Sequence, residues 1–165
     1  MRKTTVISIL FVLTALTVFG QEKSIGQKSI STTIQKYIQV NYPAAKRIKY
    51  YQEYEQGTTF IEAEFKQNQT AYSLKFNADS LVETEIDIKF SSILANVQQK
   101  ITSNLDSLFN GYKILSCQEV NPTTNPLYEI NVKTKSGNYM ELYYDKSGTL
   151  IKKIEIIVKP ISSQF

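Results

Sequence analysis

The sequence predicts an α+β fold: two tandem helix-plus-four-strand repeats, an antiparallel sheet with helices on one face, and the other face open. Three observations carry this. Ile34 and Ile38, then Val97 and Ile101 about 63 residues on, are apolar pairs at helical spacing. Alternating runs follow each pair, Ile61 to Phe65 and Tyr72 to Phe76 after the first, Tyr128 to Val132 and Met140 to Tyr144 after the second. The links between runs are short and polar, which favours hairpins, because parallel neighbours need a crossover of about a dozen residues or more.

In chain order, residues 1–20 read as a secretory signal peptide. Arg2 and Lys3 precede an apolar stretch from Val6 to Phe19, and Gly20 is a small residue at the cut before Gln21. The stretch is broken by Thr14 and Thr17 and falls short of the roughly 20 apolar residues a membrane-spanning helix needs. The expected location is periplasmic or secreted, with no stable membrane insertion after cleavage. Cleavage removes two of the 19 basic residues and none of the 15 acidic ones, leaving a balance of +2. A weak charge without an Arg/Lys run argues against a nucleic-acid partner.

Residues 21–28 are expected to be a flexible polar tail, 29–88 the first repeat, 89–158 the second and 159–165 a C-terminal tail. Asn41-Tyr42-Pro43 ends the first helix, since the residue before proline is pushed out of the helical region. Its four strands are Arg47 to Tyr54, the two alternating runs, and Val82 to Ile88. The second repeat offers Tyr112 to Val120, its two runs, and Leu150 to Val158.

Alternation then separates two faces. Ile61, Ala63, Phe65, Tyr72, Leu74, Phe76, Val82, Ile86 and Ile88 are expected under the stripe Ile30, Ile34, Tyr37, Ile38. In the second half Tyr128, Ile130, Val132, Met140, Leu142, Tyr144, Leu150, Ile154 and Ile156 are expected under Leu94, Val97, Ile101, Leu105. The uncovered face receives Tyr51, Leu115, Tyr139, Tyr143, Ile151 and Ile157 among Lys49, Glu62, Glu64, Lys113, Glu129, Glu141 and Lys153. Aromatics among charges are typical of protein interfaces, so Tyr51, Leu115, Tyr139, Glu141, Tyr143 and Ile151 are the candidate partner-binding residues.

Composition closes several chemistries. The chain has no His and one Cys, which rules out His triads, Cys-His dyads, zinc clusters and an internal disulfide. The acids Glu62, Glu64, Glu83, Glu85 and Asp87 read as a solvated, edge-protecting face rather than a glycosidase pair or calcium site. Asn77 to Ser80 and Asp145 to Gly148 read as turns. Cys117 is placed facing out beside Leu115, as a small half-buried side chain. No catalytic residue, metal or cofactor is expected.

The Asn41-Tyr42-Pro43 end of the helix, the Ile61 to Phe65 strand, and the turns after Phe76 and Tyr144 resemble the PepSY-like family of small exported bacterial proteins. That family is similar in fold to the beta-lactamase inhibitory protein, a tandem-repeat inhibitor whose sheet grips an enzyme. The likeness runs from about Ser29 to Ile157, although Tyr50 or Tyr51 stands where a Trp is frequent and Ser80 where the turn has Gly. It implies a non-enzymatic exported module that binds a protein partner through the open sheet, including as an inhibitor of a hydrolase or protease. The alternatives are an envelope sensor binding a small molecule or ion in the groove between repeats, and a self-associating structural protein.

Overall fold

The computed structural model of the chain describes residues 23–55, 57–122 and 125–156. Nine strands form one sheet in chain order: β1 (Lys23–Ile25), β2 (Lys46–Glu55), β3 (Thr58–Gln67), β4 (Thr70–Asn77), β5 (Ser80–Asp87), β6 (Tyr112–Pro122), β7 (Leu127–Thr134), β8 (Tyr139–Asp145) and β9 (Leu150–Ile156). All eight neighbouring pairs are antiparallel. Helix α1 (Thr32–Asn41) precedes β2, and α2 (Ala95–Leu108) connects β5 to β6.

This corrects the expected fold of two tandem helix-plus-four-strand repeats. β5 pairs directly with β6, Thr84 opposite Asn121 and Asp87 opposite Gln118, so the strands belong to one nine-stranded sheet. The ninth strand, β1, comes from the expected tail and pairs Ser24 with Tyr51. Counting amphipathic runs cannot show which strands meet across the middle of the chain. Backbone chemistry decides it, because a free edge at β5 would leave a row of N–H and C=O groups without partners.

Both helices are entered alike. The Gln35 amide donates to the Ile30 carbonyl (2.9 Å) and the Gln98 amide to the Ile93 carbonyl (2.5 Å). Ser31 also caps α1, its Oγ accepting from the Ile34 N–H at 3.2 Å. Ile34 and Ile38 pack with Ile30 on Tyr50, Ala63, Phe65, Leu74 and Phe76. Val97, Ile101 and Leu105 pack on Ile130, Val132, Leu142 and Tyr144, whose hydroxyl donates to Asn104 Oδ1 at 2.9 Å.

The strands carry four irregularities in register, and three of them revise the assignment of faces. In β5, Lys75 faces Glu83 and Phe76 faces Leu81, so Val82 is an extra residue and Leu81 packs on the core in its place. In β6, Leu115 has no partner between Ile114 and Ser116. Cys117 therefore lies opposite Ile130 in the α2 core, 4% exposed, and not on the outward face. In β9, Ile151 is extra. Beyond it Ile154 and Ile156 lie opposite Glu141 and Tyr139 on the uncovered face, while Lys153 lies opposite Leu142 on the helix side, the reverse of the expectation. The fourth lies between Lys46 and Lys49 of β2. A bulge inserts one residue and so shifts every later side chain to the other face.

Candidate binding face

The burial and charge pattern of the face opposite the helices is that of a concave sheet. Val120 lies on it, opposite Glu85 and Leu127, and is 1% exposed; Glu129, opposite Gln118 and Tyr143, is 6% exposed. Among the described residues no helix lies on that side, so their burial points to inward curling of the sheet. β2 and β9 are seven strands apart, roughly 34 Å in a flat sheet at ordinary strand spacing. Burial alone would raise the Glu55 carboxyl on β2, but its neighbours Glu53 and Lys75, with Lys152 of β9, hold it below its usual range. A charge across a flat sheet would be screened out at that distance.

Carboxylates fill the middle of the trough. β5 is the fifth of nine strands, so Glu83, Glu85 and Asp87 are central, which corrects their reading as edge protection. Burial, then the carboxylates of Glu129, Glu83 and Glu62, push Glu85 up to about 8 against the pull of Lys75. Burial and Glu141 likewise raise Glu129, offset in part by a hydrogen bond from Asn131, whose Nδ2 lies 2.6 Å away. The Tyr143 hydroxyl donates to Glu141, and burial beside Glu129 and Glu141 keeps it protonated. Lys75 Nζ bridges Glu53 (3.0 Å) and Glu55 (3.1 Å) beneath the Phe60 ring.

The candidate residues are only partly gathered. Tyr139, Glu141 and Tyr143 line β8 on this face, all half-buried. Lys133 lies 5.1 Å from the Tyr139 ring centre and Lys152 lies 5.4 Å from that of Tyr143. Tyr51, half-buried opposite Glu62, stands on β2, six strands from β8. Leu115 and Ile151 are the extra residues of their bulges and are 47% and 58% exposed. Ile157 lies outside the described residues. Sequence reasoning missed Ile154, Ile156, Val120 and Lys75. A signal was present: Leu81-Val82, Ile114-Leu115 and Leu150-Ile151 are adjacent apolar doublets in otherwise alternating strands, as an inserted residue produces.

On the other side of the sheet, burial in the α2 core pushes the Cys117 thiol up to about 12, so it is not an activated nucleophile. Among the described residues, no group of three or more Asp, Glu or Cys could hold a metal ion, and no helix is long and apolar enough to cross a membrane.

No protein-family profile and no curated protein matches the chain. Solved structures do. A DUF2874 family protein from Bacteroides ovatus matches with a TM-score of 0.62 at 20% identity, over 75% of this chain and 86% of that one. A BLIP-like protein from Bacteroides fragilis matches at 0.59 and 16%, over 80% and 90%. A protein from Bacteroides eggerthii described as a candidate periplasmic protein matches at 0.64 and 17%, over 76% and 88%. At these identities the likeness establishes the fold, and the chain has a BLIP-like α+β architecture.

Proposed function

We propose that this chain is an exported, non-enzymatic binding module of the periplasm or the medium that holds a protein partner in the trough of its sheet. The observation that carries this is the concave face itself, with Tyr139 and Ile156 at one side and Tyr51 at the other. Curvature of this kind presents a large surface to a convex partner without requiring either to rearrange. The signal-like segment with Arg2 and Lys3, and the periplasmic description of the Bacteroides eggerthii protein, support export. The BLIP-like likeness supports inhibition of a hydrolase or protease as the form the binding takes, and the Asn41-Tyr42-Pro43 pattern supports a PepSY-like affiliation.

The test uses Tyr139→Ala and Ile156→Ala, because Tyr143 is too deeply set and hydrogen-bonded to serve. Tagged protein lacking residues 1–20 is used to isolate a partner from envelope extract. That partner is then purified and its affinity measured by calorimetry. The double variant should bind about 30-fold more weakly, the equivalent of about 2 kcal/mol at an aromatic anchor, with little change in melting temperature. Equal affinities would remove this face from the interaction.

A further inference from the structure

At one end of the concave face, strands β2 to β6 surround an open trough of ≈ 610 Å³ whose charged lining is uneven. Lys46, Arg47, Lys49 and Lys66 face Glu64 and Asp87. Asp87 already accepts from the Gln118 amide at 3.1 Å. Glu64 lies opposite Lys49 in the register, yet among the described residues none of the four cations has a carboxylate oxygen within 4.0 Å. All four are exposed.

The backbone is bent to place them there. The β2 irregularity falls between Lys46 and Lys49, and Arg47 within it has φ 56°, a left-handed conformation that side chains other than glycine adopt at some cost. Bulges re-aim side chains, and this one gathers three cations within four residues.

We propose that this trough binds a carboxylate-rich peptide segment of the protein partner, an inference that rests on the reading of the concave face as a protein-binding surface. Unpaired cations in a groove are complementary to such a segment and would steer its approach. Small-molecule sites bury most of their ligand, which an open trough rimmed by exposed lysines does not do, so a chain segment fits better than a free anion. The carboxylates at the middle of the face give the surface a direction: the acidic stretch of the partner lies over β2 and β3, and its neutral or basic surface lies over β5 to β8.

The experiment measures fluorescence anisotropy of a fluorescein-labelled peptide of alternating Glu and Ser, with a Lys and Ser peptide as control. The acidic peptide should bind, more weakly as salt is added, and the basic one should not. Lys49→Gln with Lys66→Gln should weaken binding about tenfold, whereas Lys113→Gln with Lys133→Gln, removing the same charge elsewhere on the face, should not. Arg47→Gly removes a cation while relieving the positive φ, so it should weaken binding several-fold without lowering the melting temperature. Equal binding by all variants, an equal loss in the Lys113/Lys133 control, or displacement by millimolar phosphate would each overturn the proposal. If the purified partner binds wild type and Arg47→Gly alike, only this inference fails; if no partner binds the concave face, the broader reading fails while the peptide result stands by itself.

Discussion

Glu85 holds a proton to about pH 8 because it is buried among the carboxylates of Glu129, Glu83 and Glu62, with Lys75 only partly compensating. Its ordinary value is 4.5, so the folded state binds the proton more tightly than the unfolded chain does. The stability this contributes is complete below about pH 4.5 and is lost as pH rises to about 8. Glu85→Gln should therefore flatten the decline in melting temperature between those limits and raise it at pH 8 by several degrees, as read by thermal denaturation across pH. Little of this was legible in the sequence. Glu83, Glu85 and Asp87 declare an outward strand face, but their cost depends on β5 being central and on Glu129 arriving from β7, both facts of long-range pairing.

Elements were more legible than their pairing. The positions of α1 and α2 and the alternating stretches of β3, β4, β7 and β8 follow directly from apolar spacing, because each has one face on a core. Parity failed at Val82 itself and after Leu115 and Ile151, where an extra residue breaks the alternation, and the doublets there were the available sign; Ile86 and Ile88 lie on the helix side as expected. Turns carry a similar hidden constraint. Gly148, between β8 and β9, has φ +85°, and a Cβ there would lie 3.1 Å from the Val97 carbonyl oxygen and from Lys100 Cβ of α2. Gly137, between β7 and β8, has φ +95° with nothing within 4 Å. Gly148→Ala should cost on the order of 2 kcal/mol by chemical denaturation and Gly137→Ala about 1, the difference reporting how closely the turn abuts the helix.

Across the whole molecule, two apolar clusters under one sheet divide the stability. One comprises α1 with β2 to β4, the other α2 with β6 to β8. The outer strands have the least cover: β1 is three residues long, and β9 carries exposed Ile151, Lys152 and Lys153. Native-state hydrogen exchange should find β1 and β9 opening first, with the amides of β3 and β7 protected longest; uniform protection from edge to edge would contradict this division. The concavity that defines the candidate face was not legible at all, since the inward curl of nine strands is a property of the joined sheet and of no single strand.

The strand order itself, one to nine without a crossing, has a kinetic meaning. A chain delivered N-terminus first never has to hold a strand in reserve for a partner still to come beyond the next hairpin or helix. After β1, each new strand finds its neighbour already laid down, and the α1 cluster can close before α2 emerges. Loop-closure costs stay small at every step, and the exposed edge that invites aggregation is always the one the next segment is about to cover. Under the proposed export, with the chain crossing a membrane as a thread, this order allows the sheet to assemble in the order of delivery.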